Sequence, residues 1–313
     1  MRCSECGELA PLKFYGWSLT LQDNITLNYA VDAKFFSDGC YTNPSVTFTI
    51  GERTVTVTEY NTTKYAGYYI FPLTDIAPHQ MGLRVSAILS ATDGETTVTT
   101  EAAEYSIKTY CYNKLNDEGA SDALKTLIVD LLNYGAATQT YVGSTDPLVN
   151  ADLTEGQKAF GTQEDATLET VAKSNYQTVE NATVTWAGAY LTLTDAVEMK
   201  FVFNADTTEG LTVKVTTADP ADSASVGNTW TVTEFEPYAD GAYIANFDGF
   251  NADQMSDVVY VTVCDSEENA ISNTYRYSIE SYAYAKSNDA NSNLAVLVKA
   301  MMKYGNSAKN YNS

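Results

Sequence analysis

The chain has 313 residues, more than one ordinary hydrophobic core serves, so two domains are the first expectation. Its 40 acidic and 18 basic residues leave a net charge of −22, a field that repels nucleic acid and anionic membrane surfaces. Hydrophobic residues make up 44%, enough for real cores, yet no apolar run is long enough to span a membrane.

Residues 1–13 read as the remainder of a preceding cysteine-containing segment. Met1-Arg2-Cys3-Ser4 lacks the apolar stretch of a signal peptide, so a secretion signal is expected upstream. Cys3 and Cys6 offer half of a zinc ligand set, and the single histidine is the distant His79. No metal and no cofactor are expected.

From residue 14 onward the chain repeats itself. Leu19-Thr20-Leu21-Gln22-Asp23 returns 172 residues later as Leu191-Thr192-Leu193-Thr194-Asp195. In the same order, Thr56-Val57-Thr58-Glu59-Tyr60 returns as Thr231-Val232-Thr233-Glu234-Phe235, and Gln80-Met81 as Gln254-Met255. Tyr105-Ser106-Ile107 returns as Tyr277-Ser278-Ile279, and Tyr134-Gly135 as Tyr304-Gly305. Matches in one order at nearly one offset establish an internal duplication. The expected organisation is a first module over 14–143, a linker over 144–178 and a second module over 179–313.

Each copy alternates with period two before it turns helical. Ile25, Leu27, Tyr29 and Val31 alternate with polar residues, and Val197, Met199, Phe201 and Phe203 repeat the pattern. Val46, Phe48 and Ile50 make a further strand, as do Val85, Ala87 and Leu89, which run into the turn Asp93-Gly94. Return strands are expected up to Ile107 in the first copy and Ile279 in the second. Leu124, Leu127, Ile128 and Leu131 then keep helical spacing behind a candidate N-cap, Ser121; Leu294, Leu297, Val298 and Met301 follow suit. Gly135 and Gly305 each cost about 1 kcal/mol in a helix relative to Ala, so their recurrence points to close approach by another backbone. The fold class is mainly β with α: two tandem β-sandwich modules, each closed by a C-terminal amphipathic helix. The linker holds a short helical candidate near Thr154–Phe160.

The run Asn133-Tyr134-Gly135-Ala136-Ala137-Thr138-Gln139-Thr140-Tyr141, with Tyr105-Ser106-Ile107 before it, resembles a module of large surface proteins of Gram-positive gut bacteria. The second copy diverges, reading Lys303-Tyr304-Gly305-Asn306-Ser307-Ala308-Lys309-Asn310-Tyr311. The resemblance extends to two-lobed, β-rich starch-adherence proteins of amylosomes, which bind α-1,4-glucan between their lobes. It implies a secreted or cell-surface location, and a monomeric piece of a larger surface protein or complex.

No catalytic constellation stands out. His79 matches Asp253 in the second copy, and among so many carboxylates no pair is singled out for hydrolysis. Acidic loops such as Asp219–Asp222 lack EF-hand spacing and read as solvated charge. Outward-facing rings are the remaining candidates, because a sugar ring stacks on an aromatic face while nearby polar groups take its hydroxyls. With Val55 and Val57 inward, Tyr60 is expected outward, as is its match Phe235. With Ile70 and Ile244 on the core side, Tyr69 and Tyr243 are expected outward too. Tyr65, Tyr68 and Tyr238 join them from neighbouring positions. Trp230 matches the core-side Val55, so packing and ligand contact compete there. Trp17, Trp186, Tyr105, Tyr110, Tyr134 and Tyr141, with their partners, read as packing. The expected function is non-catalytic carbohydrate binding through these rings, with starch-type glucan implied by the resemblance alone. A structural spacer or protein-binding adhesin is the alternative.

Overall fold

The computed structural model describes residues 10–20, 25–94, 96–288 and 292–312; Cys3, Cys6 and the Leu21–Asp23 end of the first sequence match lie outside them. In the first repeat, β1 (Gly16–Thr20), β2 (Thr26–Asp32) and β5 (Tyr68–Leu73) pair antiparallel in the order β1-β2-β5. Facing them are β4 (Arg53–Val57), β3 (Thr42–Ile50), β6 (Val85–Thr92) and β7 (Thr97–Thr99), in that spatial order, with β8 (Ala103–Tyr105) also on β6. The one-turn helix α1 (Lys34–Ser37) joins the two sheets.

The second repeat is built alike. One sheet holds β10 (Thr185–Thr192), β11 (Glu198–Asn204), β15 (Ala242–Phe247) and β14 (Phe235–Ala239). The other orders β13 (Thr229–Val232), β12 (Thr212–Thr216), β16 (Val259–Cys264), β17 (Thr274–Tyr277) and β9 (Lys173–Gln177). Alternation is what makes these strands: Leu27, Tyr29, Val31, Val46 and Phe48 are buried, as are Phe201, Phe203, Val213 and Val261. Outside, Thr47 meets Thr56 at 3.0 Å and Thr49 meets Thr54 at 3.2 Å, a cross-strand ladder of hydroxyls.

The return strands stop earlier than the sequence pattern implies. Helices α2 (Ile107–Leu115) and α5 (Ile279–Lys286) begin where strands were expected to end. Ser106 and Ser278 are the cause, since their side chains accept the backbone N–H of Thr109 and Ser281 as N-caps.

The long helices α3 (Asp122–Val142) and α6 (Asn293–Asn312) follow, and Ser121 caps the first as expected. They pack on each other antiparallel, with Asn293 near Thr140 at one end and the rings of Tyr134 and Tyr304 stacked 5.7 Å apart at 12° in the middle. The helical glycines do mark a close approach. A Cβ on Gly135 would sit 3.1 Å from the carbonyl oxygen of Pro78, and one on Gly305 would sit 3.1 Å from that of Ala252. Both carbonyls belong to one-turn 3-10 segments, Pro78–Gln80 and Ala252–Gln254. A single buried hydrophobic cluster runs through both repeats and the helix pair.

Residues 144–178 are a packed strap rather than a free tether. Val149 and Leu153 are buried, and the Val149 N–H donates to Gln139 Oε1 at 2.9 Å. Thr154 and Gln157 form a capping box on the short helix α4 (Glu155–Lys158). Asp165 meets Lys299 at 3.0 Å and Lys303 at 3.1 Å, and these ammonium groups hold its carboxyl below the usual carboxylate range. A depressed carboxyl contributes stability above its unfolded value, about pH 4, and that stability is lost as pH falls through the folded value. Urea midpoints at pH 5 and pH 3 should therefore differ less for Asp165→Asn than for the parent.

Candidate functional site

The loop after β4 carries two of the candidate rings, Tyr60 and Tyr65. Asn61 folds it, accepting the backbone N–H of Thr63 and of Lys64 at 2.8 Å each, while Asn61 and Ile70 bridge backbone to backbone. Gly67, at φ +86°, turns the chain into β5, a conformation that favours glycine. Tyr60, 37% exposed, lies parallel to Tyr69 with centroids 4.2 Å apart at 16°. Tyr69 in turn lies parallel to Phe36 at 5.1 Å and 11°, so three rings form a ladder whose outer end is Tyr60.

The expected facing of Tyr69 and Tyr243 is reversed. Tyr69, Phe71 and Leu73 belong with the main core, as do Tyr243, Ala245 and Phe247, whereas Ile70 lies outside that cluster. Ile244 is buried in a small cluster of its own with Val202, Ala242 and Tyr190. Because strand side chains alternate, a shift of one position moves the whole set to the other face. Tyr68 therefore points away from Tyr69, and its ring meets Tyr15 at 4.5 Å. The expected strip of Tyr60, Tyr65, Tyr68 and Tyr69 is thus divided between two faces and a loop.

In the second repeat most candidate rings pack inward. Trp230 sits 5.1 Å from Phe247 and 5.9 Å from Phe250, edge to face. Phe235 meets Phe203 at 5.3 Å, and Tyr243 meets the same ring at 6.0 Å. Tyr238 alone of this group is largely open, 60% exposed at a register shift between Pro237 and Ala239.

Tyr65, 47% exposed, opens onto a recess of about 260 Å³ that the sequence reading did not anticipate. Tyr110 of α2 forms part of its wall, and Tyr311, from the last turn of α6, forms another part. Tyr311 is 44% exposed, although its place in the helical pattern reads as packing. Thr20, Lys64 and Asn312 add polar groups, two of which are fixed: Lys64 Nζ donates to Thr20 Oγ1 at 2.6 Å. Asn312 Nδ2 donates to Asp253 at 3.0 Å. Burial pushes the Tyr110 phenol above its ordinary value, keeping it a neutral donor. Among the described residues no carboxylate lines this recess, whereas four others of the fold each carry at least one.

Among the described residues no group of three or more His, Cys, Asp or Glu is placed to hold a metal ion. Asp219, read as solvated, is instead bound by the hydroxyls of Tyr176 at 2.8 Å and Tyr260 at 2.9 Å. His79 is tied by Nδ1 to the Thr194 carbonyl of the other repeat at 3.2 Å. None of the described helices is long and apolar enough to cross a membrane.

No protein-family model matches the chain, and no curated protein matches it. Among solved structures it is similar to a pullulanase type I from Bacillus subtilis str. 168, solved in complex with maltose. The identity is 11% over 88% of this chain and 25% of that enzyme, with a TM-score of 0.19. The chain spans a quarter of that enzyme, and a likeness this slight carries no argument about ligand or activity.

Proposed function

We propose that this chain is a non-catalytic carbohydrate-binding protein, acting outside the cell as part of a larger surface protein. The observation that carries the reading is the recess of Tyr65, Tyr110 and Tyr311: three rings and fixed polar groups, with no carboxylate among the described residues that line it, in a strongly acidic chain. Rings supply stacking faces, and Thr20, Lys64 and Asn312 supply partners for hydroxyls. At about 260 Å³ it is slightly smaller than drug-sized pockets of about 300–1,000 Å³ and suits one or two neutral sugar units. Starch-type α-1,4-glucan is the first candidate, on the sequence resemblance alone.

Titration of the parent with maltose, followed by tyrosine fluorescence, tests the reading. Tyr65→Ala and Tyr311→Ala should each weaken binding about tenfold, equivalent to about 1.4 kcal/mol. Tyr238→Ala should change it less than twofold, since that ring has no counterpart beside it. No reducing sugar should be released from amylose. A parent that binds no glycan across a panel of soluble polysaccharides would leave the spacer reading, which the continuous core through both repeats favours.

A further inference from the structure

The first repeat carries a feature that the second does not share. In the second repeat, β14 covers the edge of β15, and Phe235 turns in toward Phe203. In the first repeat β5 is itself an edge strand, met on its outer side, among the described residues, only by the bridge at Asn61 and Ile70. At this barer edge stands the ladder of Phe36, Tyr69 and Tyr60. Phe36 comes from α1, an element that the second repeat does not form. Tyr60 also leans on Phe71 at 5.3 Å, so its orientation is set from two sides. An exposed ring held in this way loses little side-chain entropy when a ligand stacks on it, and preorganisation of that kind favours affinity.

Resting on the carbohydrate reading above, we infer that Tyr60 is a second, external sugar platform, present in the first repeat only, that sets a preference for long chains. Tyr60 and Tyr65 are five residues apart along one loop. Their Cα atoms are therefore at most about 18 Å apart, the reach of five extended residues. Tyr60 does not line the recess, so a disaccharide held within it leaves that ring free, whereas a longer glucan can extend over that span and stack on it. The second contact is then intramolecular, and its benefit appears only with chains long enough to bridge. The net negative charge of the protein does not oppose this, because a neutral glucan is indifferent to it.

The test compares maltose with maltoheptaose on the full chain, for the parent, Tyr60→Ala, Tyr60→Phe and Tyr311→Ala. Tyr60→Ala should weaken maltoheptaose binding about tenfold and leave maltose within twofold. Tyr60→Phe keeps the ring and should stay near the parent on both. Equal weakening on both sugars, or none on either, would overturn the platform while leaving the recess reading intact. If instead Tyr311→Ala binds both sugars like the parent and Tyr60→Ala loses the heptasaccharide, the recess reading falls and the independence of the platform from it is exposed. Circular dichroism of each variant checks the fold, and Tyr60→Phe isolates the ring from the hydroxyl.

Discussion

Asp130→Ala should destabilise the protein by about 1–3 kcal/mol, the cost of leaving hydrogen-bonding groups without a partner. Asp130 lies in the middle of α3 and is 1% exposed. Its carboxylate accepts the backbone N–H of Thr162 at 2.9 Å and the Thr162 hydroxyl at 2.6 Å, and Ser307 of α6 donates to it as well. One side chain therefore joins the first repeat's helix, the strap and the second repeat's helix. Alanine would take the acceptor from the Thr162 N–H and hydroxyl, while the Ser307 hydroxyl could turn to the Lys303 carbonyl 3.0 Å away. Urea unfolding read by circular dichroism would measure the loss. Ser307→Ala removes a single donor and should cost about 1 kcal/mol. A loss below 1 kcal/mol for Asp130→Ala would mean that the helix pair does not depend on this network.

Much of the fold was legible because its strands are half-buried. Val46, Phe48 and Ile50, or Val259, Val261 and Val263, alternate cleanly and fall in the core. Ser106 and Ser278 were misread for a local reason. In Tyr105-Ser106-Ile107 a serine between apolar residues continues a strand pattern, yet the same serine caps a helix once the next turn coils. The facing of β5 failed for a different reason. Its sequence, Tyr68-Tyr69-Ile70-Phe71-Pro72-Leu73, is apolar on both faces, and Ile70 is as well buried as Phe71. Alternation then fixes the period but not the direction.

The recess was illegible because its rings come from distant segments. Tyr311 follows Tyr304 by seven residues, two helical turns, and so shares the face that packs on α3. Only the antiparallel pairing places that last turn beyond the core and beside Tyr110 of the other repeat. Repeat symmetry also misled: equivalent positions were expected to act alike, but Tyr60 ends an exposed ladder while Phe235 packs on Phe203. Sequence matching finds a shared framework, and divergence at the surface is settled by neighbours that the match does not contain.

Gly305→Val should destabilise the protein by about 3 kcal/mol, against the expectation from an exposed helix, where replacing glycine helps. The added Cβ would lie 3.0 Å from both Cβ and Sδ of Met255 and 3.1 Å from the Ala252 carbonyl oxygen. Met255 is buried, and the Ala252 carbonyl is backbone, so neither yields without moving the 3-10 turn Ala252–Gln254 off the helix. Overpacking of a filled core costs about 1–3 kcal/mol, and valine's two further methyls put this site at the upper end. Gly305→Ala separates the contributions: alanine gains up to about 1 kcal/mol in helix propensity, yet the contact should leave it net destabilising. Gly156 in α4 supplies the control, since a Cβ there meets nothing within 4 Å. Gly156→Ala should therefore be neutral or stabilising in the same urea titration. If Gly305→Ala proved stabilising as well, the helix and the turn would be less closely apposed than their carbonyl contact requires.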